Sequence, residues 1–242
     1  MMNKGIIIWI CSFALMGLFL IFTGSCNKKN DNNDPPTPET VADIDGNVYN
    51  TVTIGPQVWM AGNLKTTRYN DGTSIPLVAD SATWGNLTTP AFCWHNNDAA
   101  IENTTYGALY NWFAVNTGKL APSGWHVPTD AEWTLLATSL GGYNSIAGGK
   151  MKSTGTIEAG TGLWHSPNTG ATNESGFTAI PAGSRYFDGP FSDIGYIGYW
   201  WSSSEYDTNI ARSRFLGYSI SDVIKSSDYK THGFSVRCVR DF

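Results

Sequence analysis

The side chains best suited to chemistry in this chain are its aromatic rings set beside amides and carboxylates. Nine of the ten tryptophans follow residue 25, often next to Asn, Gly or Tyr. Flat rings beside hydrogen-bonding groups stack on sugar faces and bind their hydroxyls, a use that suits the amphipathic character of Trp and Tyr. Trp112 and Trp133 fall on helix faces and Trp59, Trp125 and Trp200 in apolar runs, so these five are assigned to the core. Trp94, Trp164 and the pair Tyr186-Phe187 ahead of Asp188-Gly189 are the expected ligand platforms. A Gly-rich loop leaves the last pair little local structure in which to be buried.

Other chemistry is thinly represented. His95, His126, His165 and His232 are scattered, and no two share a zinc-ligand spacing. Neither a Gly-x-Ser-x-Gly elbow nor His-Glu-x-x-His occurs. Gly148-Gly149-Lys150-Met151 has the flavour of a phosphate loop, yet Asn144 replaces its first glycine and Met151 its magnesium-binding hydroxyl. Asn96, Asn97, Asp98, Asp188 and Asp193 supply oxygen atoms from loops, which makes calcium a minority reading. Asn and Asp are also the ordinary residues of turns, so the expectation is no cofactor. Asp43, Asp45 and Asn47 begin like a calcium loop but lack its closing acid, and read as a turn.

The elements that must position these groups are short. Asp45-Gly46 reads as a turn into a strand over 48–54, and Gly55-Pro56 as a turn into a second strand over 57–60. Two helices are predicted. The first covers Thr105 to Val115, apolar on nearly every face. The second starts at Pro128-Thr129-Asp130-Ala131-Glu132-Trp133, where Thr129 and Glu132 form a capping box, and stops at Gly141-Gly142. Beyond Gly142, short aromatic or β-branched runs at 199–201, 214–216 and 234–239 read as strands between long loops. Alternation in the last run predicts a half-buried terminal strand. The fold class expected is α+β, one domain with two main helices and short antiparallel strands.

The N-terminus sets the compartment. Lys4 precedes an apolar run over Ile6 to Phe22, then Thr23-Gly24-Ser25 and Cys26, the order of a secretory signal peptide. The cysteine after small residues resembles the lipobox of bacterial lipoproteins, although Thr23 stands where leucine is usual. The resemblance implies cleavage before Cys26 and a lipid on its thiol, against the alternative of an uncleaved anchor helix. Residues 26–41 are polar, charged and proline-rich, hence a tether. The folded domain is expected over 42–242. Low charge (14%), many aromatics (13%) and a net charge of −5 fit an exported β-rich chain and exclude the basic patch that nucleic acid needs. Cys93 and Cys238 are the thiols left over, and an oxidising compartment favours a bridge between them over two separately buried thiols.

Seven blocks carry a resemblance. They are Asp43-Ile-Asp-Gly-Asn-Val-Tyr49, Trp59-Met-Ala-Gly-Asn-Leu64, Cys93-Trp-His-Asn-Asn-Asp98, Tyr106-Gly-Ala-Leu-Tyr-Asn-Trp112, Gly124-Trp-His-Val-Pro-Thr-Asp-Ala-Glu-Trp133, Trp200-Trp-Ser-Ser-Ser204 and Gly233-Phe-Ser-Val-Arg-Cys238. In this order they resemble the Fibrobacter succinogenes major paralogous domain of exported lipoproteins. Gly62 departs from the pattern, which usually has Glu there, so any contact made by that acid is absent here. More distantly, Val127 to Trp133 and the closing Gly-Phe-x-x-Arg-Cys are similar to the formylglycine-generating-enzyme type of C-type-lectin-like fold. That likeness implies two helices, ends that meet in a small sheet, and loops that form a ligand surface.

The resulting expectation is a non-catalytic, lipid-anchored protein of the outer membrane, periplasmic or cell-surface, whose loops bind a carbohydrate or an envelope protein. The alternatives are a structural component of a surface complex and a divergent enzyme of the formylglycine-generating group. If the anchor is the lipid, Cys26→Ala moves the chain from the detergent phase to the aqueous phase in phase partitioning. Unchanged partitioning contradicts it.

Overall fold

The computed structural model describes residues 39–102, 105–144 and 146–241. The signal segment 1–25, Cys26 and nearly all of the tether lie outside the described residues.

Among the described residues, twelve strands dominate the domain. In chain order they are β1 (Thr40–Ala42), β2 (Val48–Ile54), β3 (Gln57–Met60), β4 (Phe92–Cys93), β5 (Leu109–Tyr110), β6 (Trp125–His126), β7 (Ala182–Arg185), β8 (Phe191–Ile194), β9 (Ile197–Glu205), β10 (Ile210–Gly217), β11 (Ile224–Tyr229) and β12 (Val239–Arg240). They form a five-stranded sheet in the order β1-β2-β3-β12-β6, a second in the order β11-β10-β9-β7-β8, and the pair β4-β5. The helices are α1 (Ser81–Gly85), α2 (Ala99–Glu102), α3 (Trp112–Val115), α4 (Asp130–Ser139) and α5 (Ala147–Met151). Only α4 reaches ten residues among them. The fold is therefore β-rich, which overturns the α+β expectation with two main helices.

The helix expected over 105–115 is lost to partners distant in sequence. Gly107 lies at φ +84°, where a Cβ would meet Asn63 Cβ and Leu64 O at 2.9 Å. The Ala108 and Tyr110 amides then donate to Leu64 O (3.0 Å) and Phe234 O (2.9 Å), across the fold, instead of up a helix. What remains helical is α3, capped by the Asn111 side chain accepting from Ala114 N. The second helix forms as its sequence dictates. Thr129 accepts from Glu132 N, the Glu132 carboxylate accepts from Thr129 N, and Gly142 N donates back to Ala137 O.

The terminal run differs from its expectation. Every residue from Gly233 to Val239 is buried, and only Val239–Arg240 is strand. Phe234 and Ser235 instead make single bridges to Tyr110 and Trp200. Alternation failed because both faces of this segment are covered. The bridge between Cys93 and Cys238 is likewise not formed. Both are free buried thiols, in separate clusters, Cys93 with Trp84 and Leu109 and Cys238 with Tyr49, Met60 and Phe234. Burial pushes the Cys93 thiol up to about 12 and Cys238 higher still.

Asp241 and the α4 cap are joined through His126. Its Nδ1 lies 2.6 Å from Asp241 Oδ1 and its Nε2 2.7 Å from Glu132 Oε1. Burial pulls the imidazole down, but the hydrogen bonds to Asp241 and Glu132 outweigh it and hold the pKa above its ordinary 6.5. A raised folded-state pKa means that this stabilisation is complete below pH 6.5 and fades as pH rises through the folded value. Denaturant unfolding of His126→Gln between pH 5 and 9 is thus expected to lose that part of the pH dependence. An unchanged profile contradicts the assignment. Thr129→Ala, by opening the cap, costs about 1 kcal/mol in the same assay.

Candidate functional site

The sugar-platform expectation fails for two of its three places. Trp94 is buried edge-on against Phe92, with ring centroids 5.6 Å apart. Trp164 is fully buried, and its Nε1 donates to Ser153 Oγ (3.2 Å) and Ala179 O (3.1 Å). Neither ring offers a face to solvent. Asn96 and Asn97 are exposed with φ of 51° and 58°, the left-handed values of a tight turn, and Asp98 accepts from Ala100 N. They shape a loop, which is the turn reading. The Asp43 carboxylate accepts from the Asp45 and Asn47 amides, again as a turn. Among the described residues no group of three or more His, Cys, Asp or Glu side chains is placed to hold a metal.

The third place stands on the surface. Tyr186 and Phe187 are 41% and 42% exposed, and the fold brings Tyr229 (51%) and His232 to them. Phe187 lies 4.9 Å from Tyr229 and 5.6 Å from His232, while Tyr186 lies 5.8 Å from His232. His232 stacks in turn on buried Phe234 at 5.2 Å, and Phe234 on Tyr199 at 4.8 Å and 9°. A column of rings thus runs from the core to the surface. Burial lowers the His232 pKa, with Asp228 and Asp188 pulling the other way, so the ring is largely neutral at pH 7.

Arg185 fixes this corner. Its Nε donates to Gly189 O (2.7 Å), Nη1 to Val78 O (2.6 Å) and Nη2 to Ala79 O (2.8 Å). The guanidinium also lies over Trp84 at 4.5 Å. Its backbone exchanges both hydrogen bonds with Gly233, next to His232. Gly189 sits at φ +114°, where a Cβ would lie 2.2 Å from Ser81 Oγ, so the turn carrying Tyr186, Phe187 and exposed Asp188 is pressed onto α1.

A groove of about 310 Å³ shares Tyr229 with the ring cluster. It runs between the end of α1, Phe113 and residues 208–209 and 229–231. Exposed Thr88, Thr208 and Asn209 line it, with side chains that carry no hydrogen bond to the described residues. Lys230 is committed beneath them, paired with Glu205, donating to Thr208 O at 2.8 Å and lying over Trp112.

These rings and loops are held by the blocks at 93–98, 106–112, 200–204 and 233–238, and a family model spans that whole arrangement. The Fibrobacter succinogenes major domain matches residues 52–240. The chain belongs to that family. No curated protein and no solved structure matches the chain. Within this family member, Tyr229 and His232 are the residues that the sequence reading missed. Their signal was the one that marked Tyr186: aromatic residues in a polar run (Ser226-Ser227-Asp228) just before a glycine.

Core and surface rings separate by stability. Trp164→Ala is expected to cost about 3–5 kcal/mol in denaturant unfolding, as a large buried side chain does. Phe187→Ala is expected to stay within about 1 kcal/mol of the native chain. Equal losses contradict the assignment.

Proposed function

We propose that this domain is a non-catalytic, lipid-anchored envelope protein that binds carbohydrate on the Tyr186, Phe187, Tyr229 and His232 rings. The single observation carrying this reading is the continuity of an exposed ring cluster with a groove lined by uncommitted hydroxyl and amide groups. Sugars present apolar C–H faces and a rim of hydroxyls, so they need both kinds of surface at once. Rings held by stacking on the core lose little entropy when a ligand docks, which favours binding. Asn209, Thr88 and Thr208 would exchange water for sugar hydroxyls without breaking a protein contact. This reading invokes no metal, so binding is expected to persist in a chelator.

A glycan array probed with the full-length protein, with and without chelator, tests the reading. Tyr229→Ala and Phe187→Ala are each expected to weaken the selected glycan roughly tenfold, about 1.4 kcal/mol. An array without hits, or hits unaffected by either substitution, overturns it.

A further inference from the structure

A second cavity, sharing no residue with the ring platform, has an unusual floor. It holds about 280 Å³ between β2, the turn at 61–65, Gly107 and residues 178–180. Arg237 forms part of its lining, and Lys65 another part. Arg237 is completely buried, and every acceptor it meets is neutral. Nε donates to Asn63 Oδ1 (3.0 Å), Nη1 to Met60 O (3.5 Å) and to Phe177 O, and Nη2 to Thr178 O (2.8 Å). The guanidinium lies over the Phe177 ring at 4.2 Å. These contacts use four of its five N–H groups and leave one on Nη2. Among the described residues Lys65 makes no ion pair, and its Nζ lies 6.0 Å from the Tyr49 ring centroid. Among the described residues no carboxylate lines the cavity.

A buried guanidinium without a counter-charge is a costly arrangement. Burial alone lowers its pKa to about 9, which leaves it charged at neutral pH. The cavity mouth also has unused room. A Cβ on Gly62 would meet Tyr49 Cδ1 at 3.6 Å, an ordinary contact, and Gly62 is not among the positive-φ glycines. Neither space nor backbone demands glycine there.

We infer that this cavity is a binding site for a small carboxylate, whose charge lies between Arg237 and Lys65 and whose carbon body packs on Tyr49 and Ile180. The planar guanidinium suits a carboxylate, and Lys65 adds an adaptable point charge at the mouth. The exposed Asn50 gives the wall a hydrogen-bonding side chain for a polar substituent. The volume fits a ligand of a few heavy atoms to one sugar ring.

The test is calorimetric titration of the full-length protein with acetate, D-glucuronate and N-acetylalanine at fixed ionic strength. Sodium chloride and methyl glucoside serve as references. Saturable one-to-one binding of a carboxylate, but of neither reference, is expected. Preference for glucuronate identifies an acidic sugar as the source of the carboxylate, and preference for N-acetylalanine a peptide chain end. Gly62→Glu places an acid within the cavity and is expected to lower affinity at least about tenfold. Lys65→Gln, a surface change that spares the fold, lowers it about threefold, the weight of one partly screened charge. Binding no stronger than the references, or affinity unchanged in both variants, overturns the inference.

Discussion

The carboxamide of Asn63 is the join on which the domain depends. Its Oδ1 accepts from Trp200 Nε1 (2.9 Å) and Arg237 Nε (3.0 Å). Its Nδ2 donates to Tyr106 O (2.9 Å) and Ser235 Oγ (3.2 Å). One buried side chain thereby links the first hairpin, the Tyr106 loop, β9 and the C-terminal segment. Three of the four contacts, those to Trp200, Arg237 and Ser235, are buried, where an unpaired partner carries its full desolvation cost. Trp200 then packs with Trp59, Trp133 and Phe177 in a common cluster. The short strands of each sheet are held in register by this centre as much as by their own ladders.

Arginine does the corresponding task wherever loops lack ladder partners. Arg185 fastens the carbonyls of residues 78, 79 and 189. Arg214 donates to Ser213 O and Tyr143 Oη and pairs with Asp130 at 2.9 Å. Arg237 fastens residues 60, 177 and 178. Each guanidinium also lies over an aromatic ring. The planar fork satisfies several orphan carbonyls at once, and ring contact replaces part of the lost hydration. Loop carbonyls held in this way allow long connections to be rigid, and rigid loops are what a surface binding site requires. The turn under Tyr186 and Phe187 is the clearest case.

Sequence patterns reported the parts governed by local rules. The hairpin 48–60, the α4 capping box and its glycine stop depend on residues adjacent in the chain, and each formed where its residues stood. The helix expected at 105–115 was lost because Leu64 O and Phe234 O, distant in sequence, claimed its amides. Trp94 and Trp164 were expected as ligand platforms, yet three-dimensional neighbours buried both. Only half of the ring cluster was legible. Tyr186 and Phe187 sat in a loop with no local cover, whereas Tyr229 and His232 arrive from a different strand end, a juxtaposition made by the Arg185–Gly233 backbone pair. The thiol pair was misread because cysteine count is blind to the packing that puts the two in different clusters.

Ring-resolved NMR during a titration with neutral oligosaccharides addresses the central claim most directly. Carbohydrate binding on the platform predicts saturable shifts in the Phe187, Tyr229 and His232 ring signals, while those of Trp94 and Trp164 stay in place. Shifts confined to other residues, or none at any concentration, contradict it.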